Sequence, residues 1–214
     1  MKYNATDYYK MGAATIEEAK KQPTKPRLLM HSCCGPCNAF PIELLAPVFE
    51  LTLFFNNSNI YPNEEYVRRL GELETYVAWY NENNHDHIRI LQTPYDNVEY
   101  TRFLSVRKDD KEGQERCFMC YERRMNEAYA YAQNEQYDYF TTVMTISRQK
   151  DAIKLNEIGA KLQERYSNTK YLFSNFKKNQ GMDRGVEISK EHNMYKQDYC
   201  GCIFSLQSRR SVKD

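Results

Sequence analysis

Short apolar runs alternate with longer amphipathic stretches along most of the chain. RLLMHS (27–32), ELTLFFNN (50–57), HIRILQ (87–92), YDYFTTVMT (137–145) and KYLFSNF (170–176) have the composition and length of buried strands. Between them lie segments with helical spacing of apolar residues: CNAFPIELLAP with Pro41 in its first turn, residues 63–84, YDNVEYTRFLSVRK, residues 117–136, and residues 147–166 capped by Ser147. The charged stretch KDDKEGQER (108–116) reads as a loop. Strands alternating with helices predict an α/β fold, because parallel strands need crossover helices that cover the sheet. The expectation is a Rossmann-like open parallel sheet of about five strands.

Residues 6–20, TDYYKMGAATIEEAK, have helix-forming composition and precede Pro23 and Pro26. They predict an N-terminal helical extension over 1–24, a single α/β domain over 25–208 and a C-terminal tail over 209–214. No signal-peptide h-region and no long apolar run is present, so a cytoplasmic protein without a membrane partner is expected. The 30 Lys and Arg against 29 Asp and Glu do not announce a nucleic-acid binder. Local phosphate contacts are expected instead, from Lys177, Lys178, Arg209 and Arg210, with Arg68 and Arg69 as further basic positions.

The seven cysteines change the picture, because they fall in three tight groups: Cys33, Cys34 and Cys37; Cys117 and Cys120; Cys200 and Cys202. The first group follows the first strand, beyond the carboxyl end of the sheet where ligands of such folds sit. Thiols occupy the turn that carries glycines in a nucleotide-binding relative. Cys117 and Cys120 fall at the start of a helix, where the dipole favours thiolate, and Gly201 implies a close backbone approach. A structural zinc needs four ligands, fewer than are offered. An iron–sulfur cluster uses thiolates too and leaves others for a second iron, an open site or a dithiol couple. Iron–sulfur is the leading reading, with zinc and plain dithiol chemistry as alternatives.

Five ordered motifs, LLMHSCCGPC, FFNNSNIYPNEEYVRRL, RCFMCYERRM, YDYFTTVMTIS and MYKQDYCGCIFS, together resemble the QueH family of epoxyqueuosine reductases over roughly residues 27–206. The resemblance implies a fold related to adenine-nucleotide α-hydrolases, a [4Fe-4S] cluster with an additional iron ion, and no cobalamin requirement. It implies two-electron removal of the epoxide oxygen of epoxyqueuosine in the anticodon loop of transfer RNA, giving queuosine, with an external low-potential electron donor. All seven cysteines are assigned to the metallocofactor. Tyr61, Glu65 and Asp96, with His31 behind them, are the proton-donor candidates. Asn57, Asn59, Thr142, Ser147 and Gln197 are the candidate substrate contacts. Asn57 stands where relatives carry Pro, and Tyr61 where His is frequent. The competing readings are a transfer-RNA sulfurtransferase, disfavoured by the absence of an ATP-binding SGGxDS-like loop, and a zinc RNA-binding module.

Overall fold

The computed structural model describes residues 3–210. Its centre is a five-stranded, fully parallel sheet built from β1 (Arg27–His31), β2 (Glu50–Phe55), β3 (Arg89–Gln92), β4 (Tyr139–Thr142) and β5 (Lys170–Tyr171). The strand order is β3-β2-β1-β4-β5. The chain therefore winds one way from β1 through β2 to β3 and the other way from β4 to β5. A crevice opens where the direction reverses, beyond the carboxyl ends of β1 and β4.

The period-2 alternation within each strand feeds two separate cores. Leu28 and Met30 of β1, with Leu51, Leu53 and Phe55 of β2, pack with α2 (Gly35–Leu45) and α3 (Asn63–Asn84) on one face. Leu29, Phe54 and Phe140 point the other way, into α5 (Glu115–Asn134) and α6 (Ala152–Arg165). A third, small cluster joins Tyr100 and Leu104 of α4 (Asn97–Ser105) to Cys120 of α5 and Phe204 of α8 (Ile203–Arg210). This cluster brings the C-terminal helix to the cysteines of α5.

Several boundaries differ from the sequence expectation for local reasons. Helix α2 starts at Gly35, not Cys37, with Cys34 as its N-cap and Pro36 in its first turn, so Pro41 lies inside the helix. Pro41 has no amide proton to give the Cys37 carbonyl. Strand β4 ends at Thr142, whose Oγ1 accepts from the Met144 amide and turns the chain into a 3-10 turn over Val143–Ile146. The cap of α6 is Asp151, whose Oδ1 accepts from the Ile153 and Lys154 amides, and not Ser147. Helices α7 (Gly181–Glu191) and α8 had no counterpart in the sequence reading. Arg209 and Arg210 close α8, and positions 211–214 of the expected tail lie outside the described residues. No helix among the described residues is long and apolar enough to cross a membrane.

The N-terminal segment forms α1 (Ala5–Ala19) and packs on the domain through Ile16, Ala19 and a Tyr8–Phe173 stack with centroids 5.5 Å apart. Its closest approach is at Gly12, where a Cβ would lie 2.1 Å from the Phe173 carbonyl oxygen. Only glycine permits this docking. Gly12→Val is expected to lower stability by about 1–3 kcal/mol, the usual penalty for forcing atoms into a filled contact. Thermal melting checks this, and an unchanged melting temperature would mean that α1 is not held there.

Candidate metal centre

The β1–α2 turn places Cys33, Cys34 and Cys37 at the reversal point of the sheet, with their sulfurs all within 4.8 Å of one another. Cys33 and Cys34 sulfurs are 3.7 Å apart, and Gln197 donates from Nε2 to Cys34 Sγ at 3.1 Å. Hydrogen bonds from Cys34 and Cys37 hold the Cys33 pKa well below the ordinary thiol value. Being the donors in those bonds, with burial added, pushes Cys34 up to about 12 and Cys37 well above the usual value. The trio offers three sulfurs to one ion. Three thiols this close can hold a metal.

The other two groups are arranged by α5 and the C-terminal segment. Gly113 donates its amide to Cys117 Sγ at 3.2 Å, and Tyr100 donates its hydroxyl to Cys120 Sγ at 3.7 Å and to the Cys120 carbonyl at 3.2 Å. The loop before α5 is gathered by Arg116, which donates to the carbonyls of Arg107, Lys108 and Asp110. Burial, then the neighbouring thiols of Cys200 and Cys120, raises the Cys117 pKa. Burial, then Cys200, pushes Cys202 up to about 12. All seven cysteines are free thiols.

Arg69 holds the C-terminal pair in position. Its guanidinium donates to the Cys200 carbonyl at 3.0 Å and the Tyr199 carbonyl at 3.1 Å, while Nε pairs with Glu65 at 2.7 Å. Gly201 has φ +129°, and a Cβ there would meet Arg69 Nη1 at 3.0 Å, so the close backbone approach expected from sequence is present. The Gly201 carbonyl accepts from the Tyr61 amide at 2.8 Å.

These segments enclose a cavity of about 230 Å³ lined by Cys33, Cys37, Cys200, Asn57, Asn59, Ser147 and Gln197. Two cations that the sequence reading missed, Arg124 and Lys150, also line it. Arg124 is 2% exposed, yet among the described residues its hydrogen bonds go to neutral acceptors: the Cys120 carbonyl, Asn57 Oδ1 and Met144 Sδ. Burial opposes its charge, but Cys120, Tyr100, Cys200 and Cys33 together raise its pKa above the ordinary value. Lys150 behaves alike: burial works against the ammonium, and Cys200, Cys33 and Cys37 outweigh it. The signal for Arg124 was in the sequence. Cys117, Cys120, Tyr121 and Arg124 follow i, i+3, i+4, i+7 and so share one stripe of α5.

The remaining candidates are distributed as follows. Asn57 donates to the Ser32 carbonyl at 2.7 Å and accepts from Arg124. Asn59 Oδ1 and Gln197 Oε1 are buried acceptors without a hydrogen-bond partner among the described residues. Thr142 bonds His31 Nδ1 at 2.9 Å, and burial, reinforced by Arg124, lowers the His31 pKa to about 3, leaving it neutral. Tyr61 is 39% exposed, and its carbonyl accepts from the Tyr199 hydroxyl. Glu65 binds Arg69 and accepts from the Tyr195 hydroxyl at 3.0 Å, while Arg68 lies over the Tyr195 ring. Asp96 caps α4 by accepting from the Glu99 amide, beside a different cavity. Tyr61, Glu65, Asp96 and His31 are not among the residues lining the thiol cavity. Of the basic residues, Lys177 is used internally, donating to the Ser147 carbonyl at 3.1 Å and the Lys150 carbonyl at 3.0 Å. Lys178 lines a separate cavity beside α1, and Arg209 lines the thiol cavity.

Known proteins resemble this chain over most of its length. The family model described as "Epoxyqueuosine reductase QueH" matches residues 28–208. The epoxyqueuosine reductase QueH of Staphylococcus aureus is 33% identical over 211 residues, covering 98% of this chain and 88% of that protein. The protein of the same name from Streptococcus pyogenes is 36% identical over 188 residues, covering 88% of this chain and 73% of its own. That of Thermotoga maritima is 31% identical over 189 residues, covering 86% and 92% respectively. A match over nearly the whole α/β domain, with all three cysteine segments inside it, places this chain in the QueH family.

Proposed function

We propose that this protein is a cytoplasmic epoxyqueuosine reductase, removing the epoxide oxygen of epoxyqueuosine in transfer RNA at the last step of queuosine formation. The observation that carries the reading is the thiol cavity at the reversal point of the sheet, in a chain of this family. The reaction consumes two electrons and two protons, turns the epoxide into an alkene and releases the oxygen as water. An external low-potential donor supplies the electrons.

The donor set fits a [4Fe-4S] cluster with an iron ion beside it. Cys33, Cys34, Cys37, Cys117, Cys120, Cys200 and Cys202 are soft thiol ligands, and Arg124 and Lys150 offset the negative charge that metal-bound thiolates bring into a buried site. When bound, such a group supplies electrons one at a time and a Lewis-acidic iron. The chain's own residues do the positioning. Gln197 orients Cys34 through its amide, and its free Oε1, with Asn59 Oδ1, suits the hydroxyls of the modified base. Ser147 and Asn57 complete that lining, and the Lys150 ammonium offers donors to an oxygen in the cavity. Thr142 acts one step back, by fixing neutral His31. Of the proton-donor candidates, Asp96 caps α4 beside a different cavity, whereas Tyr61 and Glu65 serve the site from outside its lining. Tyr61 and Glu65 do so by holding the C-terminal cysteine segment through Gly201 and Arg69.

The direct test supplies anaerobically reconstituted, reduced protein with transfer RNA containing epoxyqueuosine, then digests the RNA for mass analysis. The expected product is queuosine, lighter by one oxygen atom. Its absence with iron-loaded protein and a competent donor would overturn the assignment. A second expectation concerns the clamp on the C-terminal pair. Arg69→Met leaves the buried Glu65 carboxylate and two carbonyls without their partner and should destabilise the fold by about 3–5 kcal/mol. The variant should melt lower and take up less iron on reconstitution. Unaltered iron uptake would show that Cys200 and Cys202 do not depend on this clamp.

A further inference from the structure

Beside the thiol cavity runs a second, larger recess of about 860 Å³, between the N-terminal turn of α2, the segment after β4, and α7. The two recesses share Cys37, Ser147, Lys196 and Gln197, so the larger opens directly onto the thiols. Three cations line it, Arg148, Lys190 and Lys196, all exposed, and no carboxylate is among its lining residues. Helix α7 sorts its charges accordingly. Of its three acids, Glu187 and Glu191 are drawn by Arg184 to another side, with contacts of 3.4 and 3.3 Å, and Asp183 is not among the lining residues, while Met182, Val186 and Ser189 face the recess. Met182 is anchored to Arg148, whose Nε donates to its sulfur.

We infer that this groove is the seat of the RNA strand on either side of the modified nucleotide. Arg148, Lys190 and Lys196 hold its phosphates, and Met182, Val186 and Met194 lie against its sugars and bases. The inference rests on the reading of the protein as a transfer-RNA enzyme and gives that reading a surface. Its chemistry is specific to a single-stranded polyanion. Phosphates need cations without competing carboxylates, whereas unstacked bases need apolar surface between them. A nucleotide turned out of a loop held here passes Cys37 into the thiol cavity. The groove also replaces the phosphate contacts expected from sequence at Lys177, whose ammonium is already committed to two carbonyls.

The test uses the full, reconstituted protein and two probes, the epoxyqueuosine-containing transfer RNA and its isolated unmodified anticodon stem-loop. Binding is followed by fluorescence anisotropy across a salt series. Arg148→Ala, Lys190→Ala and Lys196→Ala combined should weaken binding of both probes and make the slope of log K against log salt shallower by about 2, as three lost contacts to single-stranded phosphates require. The melting temperature and the visible spectrum should stay as in the wild type. A charge-preserving variant, Arg148→Lys with Lys190→Arg and Lys196→Arg, should keep the wild-type slope. A control combining Lys10→Ala, Lys21→Ala and Lys161→Ala, on α1, its C-terminal flank and α6, should also keep it. If the wild type binds and reduces the RNA but the groove variant retains its slope, the groove is not the RNA seat and the reductase reading stands. If instead the variant loses only electron uptake from an acidic protein donor, the surface belongs to that donor. If the wild type binds neither probe, both the groove and the reductase reading fall.

Discussion

Buried positive charge facing sulfur is the constraint on which the site is built. Arg124 lies within the domain, with no carboxylate among its hydrogen-bond partners in the described residues, and Lys150 reaches the same cavity. A guanidinium held this way costs several kcal/mol unless an anion compensates it. The sulfurs within reach come from three separate segments of chain: Cys33, Cys120 and Cys200 around Arg124, and Cys33, Cys37 and Cys200 around Lys150. The cations therefore tie together what the sequence keeps apart. They also set the character of whatever the thiols hold, because a metal ligated by several thiolates is an anionic group.

The fold delivers each segment by a different device. The β1–α2 turn sets the first trio at the sheet's reversal point. The Tyr100, Leu104 and Phe204 cluster presses α5 and α8 together, and Arg69 reaches from α3 to hold the backbone of the last pair. Lys177 pins the loop that carries Lys150 by taking two of its carbonyls. Each device positions a segment that carries thiols, so removing any one displaces sulfurs that distant segments bring together.

Much of this was legible in the sequence, and the rest was not for identifiable reasons. Strands such as RLLMH and ELTLFF declared themselves as short apolar runs because both sheet faces are buried. The cysteine groups stood out by spacing alone. Arg123 and Arg124 look identical in sequence, yet the first makes ion pairs with Glu99 and Glu127 while the second turns inward. Only the stripe shared with Cys117 and Cys120 separates them. Lys150 sits in a turn with no periodic signal, so its direction is set by tertiary contacts. Helix α7 escaped notice because polar residues dominate it and Gln180, with φ 61°, starts it from a left-handed turn. Ser147 read as a helix cap, but Asp151 offers a carboxylate to two amides and wins that role.

Buried Arg124, half-buried Lys150 and the thiols around them are one half of a centre that an anionic metal–thiolate group would complete. Thermal melting of the protein before and after anaerobic reconstitution with iron and sulfide tests this most directly, because a ligand bound only by the folded state raises its stability by mass action. Iron uptake with broad visible absorption and a higher melting temperature are expected for the loaded protein, with the gain reduced in Arg124→Met. A protein that takes up no iron and melts at the same temperature in both states would contradict this reading.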